Sequence, residues 1–392
     1  MSGLHSLIFM NFTSNSRCPT GHKSSTGRIA LKLGTFAMPL HPASRPLVDV
    51  MKENMDKIIL ADQLGFEEAW IGEHFSCVTE PIVSPLMFLA SLISQTKNIK
   101  FATGVIALPN HHPAIVAGEV AQFDHMSKGR FILGIGPGGL ASDMELFSNL
   151  DANTRNERMA ESISTILKIW ASDPPYDIPG KHWPIKITDM LIPELGVGYM
   201  AKPYQKPHPP IALSSMSPDS GSVSHAAKLG WIPVTANFTP ESTVIGHWKK
   251  YVEGCEAAGR KPTGKDWTVA RNILIGESDA QAEDWLLDRK GSNYFYFDYL
   301  WKVLKRADYT IVAKPDINMK DEDVTVEDII KASVIYGSSK TVAKKISDLR
   351  ERSGPFGTLL MAALDGSGEN LERERLSMRR LAEEVRPLLT AA

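Results

Sequence analysis

The sequence has little cysteine: three residues in 392, Cys18, Cys77 and Cys255, far apart and without a Cys-x-x-Cys pair. That argues against a disulfide framework or a structural zinc and suits a reducing compartment, so a cytoplasmic protein is expected. It has no apolar run of the roughly 18 residues that a membrane span needs. Charge of one sign is also missing. A net charge of −2 gives no electrostatic case for nucleic acid or an anionic membrane as partner. No His-Glu-x-x-His occurs, and the pair His111-His112 lacks the spacing of a helical zinc site, so no metal is expected. Without a Gly-x-Ser-x-Gly elbow, serine hydrolase chemistry has no support.

The first thirty residues stand apart. Nothing acidic precedes Asp49, while Arg17, Lys23 and Arg28 sit among Ser, Thr and Gly. Such a start reads as a disordered extension over 1–30 or an upstream start codon, with an organelle transit peptide as the alternative. No clear amphipathic helix is written there, which favours the plainer reading.

What is present, from Leu31 onward, is one long domain of short apolar or β-branched runs alternating with helical patterns, the mark of repeated βα units. Strands are expected at Leu31–Phe36, Glu67–Gly72, Ile99–Val105, Arg130–Ile135, Ile211–Ser214, Trp231–Ala236, Thr268–Ile275 and Gly357–Ala362. Helical patterns follow Met51 to Leu64, Ser84 to Gln95, His112 to Met126, Asn156 to Trp170, Gly221 to Lys228, Glu241 to Ala258, Ala280 to Leu287, Lys340 to Arg352 and Asn370 to Leu388. Two stretches break the rhythm. The proline-rich 172–209 and the segment 289–330 read as loop-rich insertions after the fourth and seventh strands. Eight such units are expected to close into an α/β, (β/α)8 TIM barrel, with an open doubly wound sheet as the other arrangement.

In a barrel the chemistry belongs at the carboxyl ends of the strands. His74, in Ile71-Gly72-Glu73-His74-Phe75, ends the second strand, where a histidine can exchange a proton near neutral pH or merely hold a loop. Gly134, Gly136, Gly138 and Gly139 follow the fourth strand, but Pro137 spoils the dinucleotide fingerprint. Their better use is to let backbone approach a flat ligand. Ser214, Ser215, Ser217, Ser220 and Gly221 lie between the fifth strand and its helix. Hydroxyls and free N–H groups there make an anion site, although one serine could simply cap the helix. Gly337-Ser338-Ser339-Lys340-Thr341 lacks the first glycine of a Walker loop and reads as a helix cap. Eight of 31 aromatics fall in one short stretch in and just before the second insertion: Trp285, Tyr294, Phe295, Tyr296, Phe297, Tyr299, Trp301 and Tyr309. That density suits a lid over an apolar substrate, though a subunit interface would look the same.

Several of these segments together resemble one family. Gly34-Thr35-Phe36, the run Leu64 to His74, Thr103-Gly104-Val105, Leu108-Pro109-Asn110-His111-His112-Pro113, Phe123 to Phe131, Tyr336-Gly337-Ser338 and Gly354 to Leu360 resemble the bacterial luciferase-like monooxygenases. Gly136-Pro137-Gly138 and Ser215-Met216-Ser217-Pro218 look most like the limonene monooxygenase group. The resemblance spans about 31–388. It implies a two-component oxygenase: FMN arrives reduced from an NAD(P)H:flavin reductase, reacts with O2 to give a hydroperoxide, and oxygenates a small apolar organic substrate.

It also implies that His74 handles protons beside the flavin and that Gly104–Val105 falls where relatives carry a strained, often cis, peptide under the ring. Asn110 is expected at the cofactor, Arg158 near its phosphate, and Ser214, Ser215, Met216, Ser217, Ser220 and Gly221 in the phosphate loop. Tyr294, Phe295, Tyr296, Phe297 and Trp301 would form the substrate lid, and a homodimer is expected. Phe75 stands where many relatives carry a second histidine. Gly136-Pro137 stands where luciferases carry Cys-Arg, which speaks against light emission. The alternatives are a deazaflavin-dependent oxidoreductase of the same fold and a non-catalytic flavin-binding paralogue.

Overall fold

A computed structural model describes residues 30–38 and 40–391. The expected extension therefore lies almost wholly outside the described residues.

Eight parallel strands form the barrel: β1 (Lys32–Ala37), β2 (Glu68–Ile71), β3 (Lys100–Thr103), β4 (Phe131–Gly136), β5 (Ile211–Ser215), β6 (Ile232–Thr235), β7 (Thr268–Ile275) and β8 (Thr358–Ala362). Each pairs with the next, and β8 returns to β1 with Lys32 opposite Thr358 and Phe36 opposite Ala362. The sheet is closed. An open doubly wound sheet is thereby excluded. Buried on both faces, the strands read as nearly continuous apolar runs. Each strand contributes to one interior cluster of Phe36, Trp70, Ala102, Ile132, Ala212, Val234, Ala270 and Leu360. The alanines leave room for the single large indole, so the barrel is filled and is not a pore.

The seam between first and last strands carries a buried charged cluster. His41 Nδ1 is 2.7 Å from Asp365 Oδ1, and Arg45 donates to both Asp365 and Glu53 at 2.7 and 2.8 Å. Lys57, 3% exposed, lies 2.8 Å from Glu53 and 2.7 Å from Glu374. Burying such charges is costly unless they are paired, and here each has a partner of opposite sign.

Several expected elements differ in detail. β3 stops at Thr103, before a cis peptide between Gly104 and Val105, and Ile106–Ala107 then pairs separately with β4. The helix expected over Ser84 to Gln95 is α-helical only at Pro85–Ala90. A short helix, Ala141–Leu146, was not expected after the glycines. Another unexpected strand, Val334–Gly337, adds to the end of β7. The first insertion contains a small hairpin, Tyr176–Ile178 with Ile185–Ile187, between stretches of coil. The second is not loop-rich: it holds helices Ser292–Arg306 and Val326–Ser333. In the first of these, Asn293, Tyr296, Phe297, Trp301 and Leu304 are buried at helical spacing, a period blurred by the half-buried rings of Tyr294, Phe295 and Tyr299 beside them.

Candidate active site

Four segments lie side by side along the carboxyl rim of the barrel. The 72–76 segment abuts 104–107, since Glu73 Oε1 accepts from the Ala107 amide at 2.9 Å and from His111 Nε2 at 3.0 Å. Gly136 comes next. A Cβ there would meet Val105 Cγ2 at 2.8 Å and Ser214 Oγ at 2.9 Å, so only glycine lets these three segments share a surface. Gly139 touches the fourth segment too, with its virtual Cβ 3.7 Å from the Met216 methyl. His74 and the serine turn thus stand on one rim, joined by the cis peptide and the glycines.

His74 is 9% exposed, and both ring nitrogens face carboxylates. Nδ1 is 3.0 Å from Asp143 Oδ2 and Nε2 is 3.1 Å from Glu80 Oε2. Burial opposes a charged ring, but hydrogen bonds and negative charge from Asp143 and Glu80 outweigh it and lift the pKa to about 10. Histidine is therefore an imidazolium at neutral pH. Asp143 also accepts from the amides of Phe75 and Ser76 and from the Ser76 hydroxyl. Burial alone would raise its pKa, yet the bonds from His74 and Ser76 hold it down at about 2.

The serine turn keeps its hydroxyls for one another. Ser222 Oγ lies 2.5 Å from Ser215 Oγ and 2.7 Å from Ser220 Oγ. Ser220 is the N-cap of Gly221–Leu229, yet its side chain makes no capping bond, and a Cβ on Gly221 would meet nothing within 4 Å. A helix start left uncapped, facing open space beside hydroxyls, suits an anion. The Ser217 carbonyl accepts from His247 Nε2 at 2.9 Å, which anchors the turn from behind.

Asn110 and Arg158 meet through a residue the sequence reading did not single out. Asn149 Nδ2 donates to Asn110 Oδ1 at 2.8 Å, while Arg158 Nη1 donates to Asn149 Oδ1 at 2.6 Å. Arg158 thus donates to the 147–149 turn, at the Phe147 carbonyl and Asn149 Oδ1, and not to the serines.

The aromatic helix Ser292–Arg306 reaches the mouth of the barrel at two points. Asn237 Nδ2, just after β6, donates to Tyr296 Oη at 2.9 Å and to Asn272 Oδ1 at 2.7 Å. Tyr299 Oη lies 3.1 Å from Cys77 Sγ, three residues after His74. Met216 and Phe238 pack against the same cluster, with Tyr294 and Phe295 half-buried at its edge. Phe297 and Trp301 sit deeper, among Leu286, Val312, Ile329 and Ile330, and hold the helix in place. Among the described residues, no three His, Cys, Asp or Glu are grouped to hold a metal ion, and no helix is long and apolar enough to cross a membrane.

A closed parallel barrel whose polar site lies on the carboxyl rim defines a barrel enzyme. The chain belongs to the luciferase-like monooxygenase family, whose model matches residues 29–355. It is 30% identical to 4-hydroxyprotoasukamycin monooxygenase of Streptomyces nodosus subsp. asukaensis, over 86% of each chain. Limonene 1,2-monooxygenase of Rhodococcus erythropolis is 27% identical over 90% of this chain and 85% of its own. Among solved structures, the oxygenating constituent of 3,6-diketocamphane monooxygenase from Pseudomonas putida, in complex with FMN, superposes with a TM-score of 0.81. It shares 27% identity and covers 91% of this chain and 98% of its own. This chain is accordingly a flavin-dependent monooxygenase.

Proposed function

We propose that the chain is the oxygenase component of a two-component system that takes reduced FMN from a separate reductase and uses O2 to oxygenate a small, largely apolar organic molecule. The observation that carries this reading is the continuous arc from His74 through the cis Gly104–Val105 peptide and Gly136 to Ser214. It offers a flat, side-chain-poor surface with a cationic ring at one end and an uncapped helix start at the other. Those features fit a flat ring system with a phosphate tail.

Reduced flavin, when bound, supplies the activation of O2; the protein supplies the rest. The Ser214 to Gly221 turn would hold the phosphate, with Val105 beneath the ring. Asn110 and Arg158, through Asn149, would shape the adjoining wall. His74 would hold a proton at the reacting end, and Tyr296 with its neighbours would keep water out. The diketocamphane and limonene relatives support an apolar, alicyclic type of substrate. A separate reductase is supported by the relative named as an oxygenase component, the trigonelline monooxygenase of Acinetobacter baylyi, 24% identical over 90% of this chain. A homodimer acting away from membranes, in a reducing cytoplasm, completes the reading.

The test is to add enzymatically reduced FMN without oxygen, measure binding, then admit O2 and score oxygenated product against H2O2. Saturable binding followed by product is expected. Absence of binding would sink the reading and favour a deazaflavin. An F420-dependent secondary alcohol dehydrogenase shares the fold at a TM-score of 0.67 and 16% identity, which speaks for architecture alone.

A further inference from the structure

Glu80 has no place in the roles above, yet it is the second group on the His74 ring. It follows a tight turn, its amide donating to the Cys77 carbonyl at 3.1 Å, and this brings the carboxylate back onto Nε2. The turn is tied to the aromatic helix, because Cys77 Sγ contacts both Thr79 Oγ1 at 3.0 Å and Tyr299 Oη at 3.1 Å. The Glu80 side chain is only 11% exposed, and its charge reaches the hydroxyls of buried Tyr296 and half-buried Tyr299. It therefore stands between the histidine and the helix that covers the barrel mouth.

The two carboxylates on His74 are unequal. Asp143 is fixed by Phe75 and Ser76 from a second direction, so it can orient the ring at Nδ1 but has little freedom to move. The bond that ties Glu80 to this site is the one to Nε2. We propose that Glu80 is a positioning residue for the reaction: it holds the Nε2 proton of His74 in place on the side facing the aromatic helix. This rests on the reading that His74 stands at the flavin. Other charged or titratable groups around the ring are Asp143, the Glu73–His111 pair on the neighbouring segment, Cys77, and the two tyrosines. None of these others lies within 4.0 Å of Nε2 as a charged partner.

The experiment is an NMR titration of the His74 ring in the flavin-free full chain, in the wild type, in Glu80→Gln and in Glu80→Asp. Glu80→Gln keeps the shape and removes the charge, and the His74 proton affinity is expected to fall at least tenfold. Glu80→Asp withdraws the charge by one methylene, with about a threefold fall expected by partial loss of the same contact. It serves as the readout if the amide variant does not fold. An unshifted His74 titration in the folded variants overturns the proposal. The pH profile of product formed per reduced FMN consumed is read alongside. If the titration moves while that profile stays put, the placing of His74 at the flavin fails and Glu80's hold on the ring survives.

Discussion

His74 Nδ1 and Asp143 Oδ2 lie 3.0 Å apart, joining the loop after β2 to the helix after β4 across 69 residues of chain. A pair of this kind makes stability depend on pH from both sides. His74, raised from 6.5 to about 10, contributes fully below pH 6.5, and that contribution is lost as pH rises through about 10. Asp143, lowered from 3.8 to about 2, contributes fully above pH 3.8 and loses its share as pH falls through about 2. The urea midpoint of the wild type minus that of Asp143→Asn should therefore be widest between these windows and shrink at either extreme. A difference that does not vary with pH would refute the pairing.

Replacing His74 by alanine should leave flavin binding largely intact and uncouple the reaction. The product formed per reduced FMN consumed is expected to fall by about 10²–10⁴-fold, the usual range for a group that handles a proton, with H2O2 rising to match. Wild-type coupling in this variant would remove His74 from the chemistry.

Gly136→Val tests the shared surface. Its first side-chain carbon would come within 3 Å of both Val105 and Ser214, so the rim must open to admit it. A stability loss of about 1–3 kcal/mol is expected from overpacking, together with weaker binding of reduced FMN by anaerobic titration. Binding as tight as wild type would show that the arc is not the flavin surface.

Tyr296→Phe removes the acceptor from one N–H of Asn237 while the ring stays in its cluster. Leaving a buried amide hydrogen unpaired costs about 1–3 kcal/mol, readable as a lower urea midpoint. Because the helix then seats less firmly over the barrel, a rise in H2O2 release should accompany it. Unchanged stability would mean that water has replaced the hydroxyl.

Much of the barrel could be read from the chain because each strand is buried on both faces and bounded by turns, so hydrophobic period and punctuation agree. Thr268 to Ile275 is apolar enough to announce itself, and Gly136 and the serines lie where the barrel rule says to look. The partners of His74 could not be read so. Asp143 sits in the short helix after β4 and reaches His74 only because β2, β3 and β4 pair side by side, while a local turn brings Glu80 back, and nothing in their spacing records either meeting. Asn149, which joins Asn110 to Arg158, was hidden in the same way. The helix Ser292–Arg306 was missed for a different reason. Rings occupy both its buried face and the half-buried flanks beside it, which widens the apolar side and blurs the 3.6-residue period that would have betrayed it.

The charged cluster at the β1–β8 seam bears on how the protein is born. His41 and Asp365 are 324 residues apart, and Lys57 finds its second carboxylate only at Glu374. During synthesis, β1 therefore waits with one margin unzipped, and Arg45 and Lys57 have only Glu53 of this cluster to share until almost the last helix leaves the ribosome. Arrested nascent chains that end before residue 358 should be digested by protease throughout, and resistance should arrive in a single late step. The ring is made in the order of its links, but it is locked last.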